Sequence, residues 1–179
     1  MTSIYKGLAA ASVLVMGLGV TPAVASCHGD WDANSDTSID QTEFGTAYDR
    51  VGWFGNADAD DSGSLSSDEF SAGLYGAYDR DDSGTFSEDE RDVGFSVADD
   101  YTPWDADQSG DLTEEEFTGG MTENDLFNEW DADDNDELSQ DEFDAGVYGR
   151  YDADDSGNLE ETEVSASCDD FGEEGFWDF

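Results

Sequence analysis

Six stretches of twelve residues place a carboxylate first, oxygen-bearing side chains third and fifth, and a glutamate last. The first positions are Asp32, Asp58, Asp79, Asp105, Asp131 and Asp152. The third are Asn34, Asp60, Asp81, Asp107, Asp133 and Asp154, and the fifth Asp36, Ser62, Ser83, Ser109, Asn135 and Ser156. The stretches close with Glu43, Glu69, Glu90, Glu116, Glu142 and Glu163. Oxygen donors of this kind suit a hard divalent cation such as calcium, which takes about six to eight of them. Asp and Gly are common in turns, so one such stretch carries little weight, whereas six in one chain are not accidental.

The spacing resembles the EF-hand calcium loop, most clearly in Asp58-Ala-Asp-Asp-Ser-Gly-Ser-Leu-Ser-Ser-Asp-Glu69. That resemblance implies calcium as cofactor. Side chains at positions 1, 3 and 5 would supply oxygens, and the closing Glu would bind through both of its own. Position 7 would give a backbone carbonyl, here from Ser38, Ser64, Thr85, Asp111, Glu137 and Asn158. In the family position 8 forms a short β-bridge to a partner loop, and it is apolar in every copy: Ile39, Leu65, Phe86, Leu112, Leu138 and Leu159. Position 6 divides the loops. Gly63, Gly84, Gly110 and Gly157 can take φ > 0 without steric cost, whereas Thr37 in the first loop is β-branched and strained there. Asp136 in the fifth loop is intermediate. The first loop is therefore expected to be a poor site on this count, although its extra carboxylate at position 9, Asp40, works in the opposite direction.

The elements that must hold these loops follow from their spacing. Loop starts lie 26, 21, 26, 26 and 21 residues apart, which is one three-loop unit used twice with an offset of 73. Trp31 maps onto Trp104, Phe44 onto Phe117 and Phe70 onto Phe143. The intervening segments, 9 or 14 residues long, carry helical apolar spacing, as in Phe44, Tyr48 and Val51. Nine residues make a helix of only about 13 Å, so one helix must leave one loop and enter the next. The expectation is an all-α protein of EF-hand-like helix-loop-helix repeats, in modules 26–103 and 104–179 that share short helices. Loops are expected to pair within a module, the first with the third, rather than between immediate neighbours. Aromatics before the loops and apolar residues after the closing Glu (Phe44, Phe70, Phe117, Phe143, Val164) are expected to be core, with Arg91 the exception.

The chain begins like a secretory signal peptide: Lys6, an apolar run from Gly7 to Val20, and the small residues Ala23-Val-Ala25. Residues 1–25 are assigned to it, which predicts an exported, periplasmic or extracellular protein. A weak lipobox ending at Cys27 is the competing reading. Cys27 and Cys168 could form a disulfide in an exported protein, with a buried free thiol as the alternative at Cys168. All 48 acidic residues follow residue 25, against four arginines and no lysine, so the remainder carries a charge of about −44. Self-repulsion of that size opposes a compact metal-free state, so metal binding and folding are expected to be coupled. The same charge argues against nucleic acid and anionic membranes as partners. His28, the sole histidine, reads as a solvated terminal residue, and the C-terminal Phe171, Phe176, Trp177 and Phe179 as a tail folded back over the helices. No Ser-His-Asp set, phosphate loop or zinc-type cluster is present, so no enzyme is expected.

The function expected from the resemblance is calcium binding, as a buffer or as a calcium-folded structural or adhesive element. Extracellular modules of this kind bind at roughly 10⁻⁴–10⁻³ M. Two alternatives stand beside it. One is a calcium sensor that exposes an apolar surface to a protein partner. The other is a periplasmic lanthanide binder, because the short loop spacing and export are similar to lanmodulin. The chain departs from that family in lacking its loop proline, and position 9 is acidic only at Asp40 and Glu160.

Overall fold

The computed structural model describes residues 31–91, 97, 98, 100–160 and 162–164. The expected signal peptide, Cys27, His28, Cys168 and the aromatic tail lie outside these residues. The described part is helix-rich and carries one small two-stranded sheet. Its elements run α1 (Gln41–Tyr48), α2 (Trp53–Ala57), β1 (Ser64–Ser66), α3 (Ser67–Tyr78), a 3₁₀ turn (Glu88–Glu90), α4 (Glu114–Glu123), α5 (Leu126–Trp130), β2 (Glu137–Ser139) and α6 (Gln140–Tyr151).

Loop spacing decides the helices. Each nine-residue segment lies in one continuous helix: α3 starts inside the second loop and ends at Tyr78, just before Asp79, and α6 does the same between the fifth and sixth loops. The 14-residue segments after the first and fourth loops break into two short helices each. Gly52, at φ 81°, stands at the head of α2, and Asn124, extended at φ −91° and ψ 133°, ends α4.

Helix starts are written into the loops. The residue at position 9 is the N-cap and the closing Glu falls at the third helical position, so the two exchange hydrogen bonds as a capping box. The pairs Asp40/Glu43, Ser66/Glu69, Thr113/Glu116 and Ser139/Glu142 begin α1, α3, α4 and α6, and Ser87/Glu90 begins the 3₁₀ turn.

The loops pair across the two halves of the chain, not within a module. β1 of the second loop runs antiparallel to β2 of the fifth, with Leu65 opposite Leu138. Isolated bridges join Ile39 of the first loop to Leu159 of the sixth and Phe86 of the third to Leu112 of the fourth. The expected pairing of first with third is thereby corrected. A continuous helix holds the second and third loops at its opposite ends, so each must find a position-8 partner elsewhere. The three rungs obey the 73-residue offset: Leu65 and Leu138 differ by it directly, and adding or subtracting it turns Ile39 and Leu159 into Leu112 and Phe86.

Among the described residues one core joins the halves. All six position-8 residues are fully buried, as are Phe44, Phe70, Phe117, Phe143 and Val164 after the closing glutamates. Trp53 stacks on Phe143 with centroids 4.8 Å apart, Phe44 meets Tyr148 edge-on at 5.4 Å, and Tyr78 lies 5.5 Å from Phe117. Three glycines make room for indole rings against helices. A Cβ at Gly120 would sit 2.0 Å from Trp104 and one at Gly146 2.1 Å from Trp130, while Gly73 faces Trp53 at 2.9 Å. Arg91 takes the place of the apolar residue after the third loop's glutamate. Its guanidinium lies over Phe86 and Tyr101 and donates to the Gly110 carbonyl of the fourth loop at 2.7 Å.

Candidate metal sites

Each loop is wound around its first aspartate. In the second, Asp58 Oδ1 accepts from the Ser62 amide at 2.9 Å and Oδ2 from Gly63 at 2.8 Å. Asp79, Asp105, Asp131 and Asp152 repeat both contacts at distances of 2.8–3.1 Å, and Asp32 does so to Asp36 and Thr37. The turn needs two left-handed residues. Position 6 has φ between 65° and 97° in all six loops, with glycine in four, Asp136 in the fifth and Thr37 in the first. Position 4 is left-handed too: Ser35, Asp61, Asp82, Gln108, Asp134 and Asp155 have φ of 54–60°. Aspartate tolerates that region better than most side chains, and it fills position 4 in four loops. That recurrence is the sequence signal that would have identified the second turn residue.

The closing glutamate reaches back across the loop. Glu69 accepts the Ala59 and Asp60 amides on Oε1, at 3.0 and 3.3 Å, and the Ser66 amide and hydroxyl on Oε2, at 2.9 and 2.7 Å. Glu116 and Glu142 make the equivalent bonds. These bonds favour the charged form. The backbone and hydroxyl of Ser66 hold Glu69 below the usual carboxylate range, Thr113 does the same for Glu116, and Ser139 for Glu142. In the sixth loop, by contrast, Glu160 at position 9 is raised by its hydrogen bond with Glu163.

The result is convergence of oxygens. In five loops the carboxylates at positions 1, 3 and 12 bring ligand atoms within 4.8 Å of one another: Asp58, Asp60 and Glu69; Asp79, Asp81 and Glu90; Asp105, Asp107 and Glu116; Asp131, Asp133 and Glu142; Asp152, Asp154 and Glu163. The serines at position 5 join the ring. Ser62, Ser83, Ser109 and Ser156 donate to the position-7 carbonyls of Ser64, Thr85, Asp111 and Asn158 at 2.8–3.1 Å. Asn135 instead accepts from the Glu137 amide at 2.7 Å. Three carboxylates, a hydroxyl or amide oxygen and a carbonyl, with no nitrogen or sulfur, make a donor set that fits a hard cation. These five acidic groups can hold a metal ion.

The first loop differs. Its third residue is the amide Asn34, so it has no carboxylate triad at positions 1, 3 and 12, and its third carboxylate, Asp36, is turned to Ser38. The Ser38 amide and hydroxyl reach Asp36 Oδ1 at 3.0 and 2.8 Å and lower its pKa. With Thr37 at φ 78°, it also carries a strained turn.

Sequence reasoning missed the second structural duty of the closing glutamates, although Ser-x-x-Glu and Thr-x-x-Glu before an apolar run is a capping signature in its own right. It also missed Asp144, which no motif marks. Among the described residues no helix is long and apolar enough to cross a membrane. The chain matches no protein-family model, no curated protein and no solved structure.

Proposed function

We propose that this chain is an EF-hand-type calcium-binding protein whose ions hold the fold together, acting as a buffer or as a calcium-folded structural element. The observation that carries the reading is the repetition of one oxygen-only frame in five loops, with ligand atoms within 4.8 Å in each. Three carboxylates at that separation repel strongly unless a cation lies between them. Calcium accepts carboxylate, hydroxyl and carbonyl oxygens in flexible geometry, and neutral serine at position 5 tunes the sites toward modest affinity. The 73-residue offset of the rungs supports two duplicated three-loop units, 26–103 and 104–179, built against one another. The signal-like first 25 residues support export to a calcium-rich compartment, where weak sites fill.

Burial of the aromatic residues against one another favours the structural role over a sensor that offers an apolar face. The test is circular dichroism of the chelator-stripped protein, titrated with calcium and then with lanthanum. Helix is expected to appear at micromolar-to-millimolar calcium. A chain that stays unfolded in calcium and folds only with the trivalent ion, at far lower concentration, overturns the calcium assignment in favour of lanthanide binding.

A further inference from the structure

Apart from the five loop triads, a cluster of acids among the described residues lines a cavity. Helices α1 and α6 pack side by side, and between them lies a cleft of about 460 Å³ whose lining includes Thr46, Asp49, Gln140, Asp141 and Asp144. Asp144 is 8% exposed, and its Oδ1 is buried with no hydrogen-bond partner among the described residues. Its other oxygen lies 3.2 Å from where a Cβ on Gly45 would be, so the glycine leaves the approach between the helices open. Asp49 is already engaged, accepting from the Gln140 side-chain amide. A buried carboxylate oxygen without a partner is costly, and two more carboxylates, Asp49 and Asp141, line the same cleft. The described residues place no arginine or lysine among its walls.

We propose that this cleft is a further cation site, distinct from the loop triads, that takes a divalent ion with its water shell intact, such as hexahydrated magnesium. The distances select the hydrated form. Asp49, Asp141 and Asp144 do not bring their oxygens within 4.8 Å of one another, as the five loop triads do, so they cannot close on a bare ion together. The volume suits a hydrated one, since a water takes about 30 Å³. Magnesium also gives up its waters reluctantly. Carboxylates accept hydrogen bonds from that shell, and the Thr46 hydroxyl and the Gln140 carbonyl oxygen offer further partners. The ion's charge offsets the burial of Asp144. The inference does not rest on which metal the loops prefer.

Hexaamminecobalt(III) tests it, because its six ammines do not exchange and it therefore cannot be coordinated directly by the loops. The full chain, with its loops saturated by calcium, is titrated with this complex while backbone amide resonances are followed. A saturable shift at Gly45, Thr46, Asp49 and Asp144 is expected, weakened at least tenfold in Asp144→Asn. Asp49→Asn is the second variant, with the same expectation, should the first fail to fold. Competition by millimolar magnesium at these same amides completes the assignment. Shifts spread over the acidic surface without saturation, or a midpoint untouched by either substitution, overturn the site.

Discussion

The closing glutamate of each loop has two duties that single substitutions can separate. Glu69 is a member of a metal triad and also the third residue of α3, where it accepts from Ser66. Ser66→Ala removes the cap and leaves the triad, so we expect a loss of about 1 kcal/mol in stability with the ion count unchanged. Glu69→Gln keeps an oxygen for the amides but removes the charge, so it should bind one ion fewer per chain. Native mass spectrometry and thermal melts read the two effects together, and equal ion counts in both variants would refute the division. Thr37 is the converse case. Its left-handed turn costs about 1–2 kcal/mol, against about 0.5–1 kcal/mol for the extra freedom of glycine in the unfolded chain. Thr37→Gly should therefore raise the melting midpoint in calcium by a few degrees, and a lower midpoint would show that the first loop is not strained.

Helices meet here through glycine, and α6 supplies its own control. Gly146 faces the Trp130 indole, with ring atoms 2.1–2.5 Å from a would-be Cβ, whereas Gly149 on the same helix has nothing within 4 Å. An alanine at Gly146 must displace a rigid ring and should cost about 1–3 kcal/mol. At Gly149 it should instead stabilise by about 0.5–1 kcal/mol through helix propensity alone. Denaturant unfolding distinguishes the two, and matching effects would mean that the indole does not rest on the helix. The β-rungs make a second expectation at this scale. Leu65 and Leu138 are fully buried and opposite one another, so each change to Ala should cost about 2–5 kcal/mol. The double substitution should cost measurably less than the sum, since neighbours couple by about 0.5–3 kcal/mol. Strict additivity would place the two leucines in separate environments. What the sequence revealed at this scale was local. Position 8 read as apolar and is buried; nine residues between loops read as one helix and are one. The partner of each rung was not legible, because every position-8 residue is an equivalent aliphatic or aromatic side chain. The choice between partners is made by helix direction and by ring packing such as Trp53 on Phe143, contacts that no spacing rule encodes.

Over the whole molecule, two electrostatic costs act at different ranges, and they can be separated. The net charge of −43 acts over the entire surface, and salt at about 1 M, with a screening length of about 3 Å, should suppress most of it. The five triads are another matter. Their ligand atoms lie within 4.8 Å of one another, and the glutamates are fixed there by hydrogen bonds that also start the helices. Monovalent salt can relax the chain as a whole but cannot replace an ion seated among three carboxylates. We therefore expect the chelator-stripped chain at low salt to be expanded. Its radius of gyration should move from the vicinity of about 45 Å, the unfolded value for this length, toward about 16 Å, the compact one. Sodium chloride at 1 M should recover part of that contraction by X-ray scattering, without the near-ultraviolet dichroism of ordered aromatic rings. Millimolar calcium at low salt should recover both, because closing the loops sets the rungs and the rungs seat Phe44, Phe70, Phe117 and Phe143 in the core. The near-ultraviolet signal in salt alone is the deciding observation. If it reaches the calcium level, diffuse repulsion was the main barrier to folding and the loops contribute no more than acidic turns. If it stays flat while the chain contracts, the ion-binding frames themselves hold the core in register.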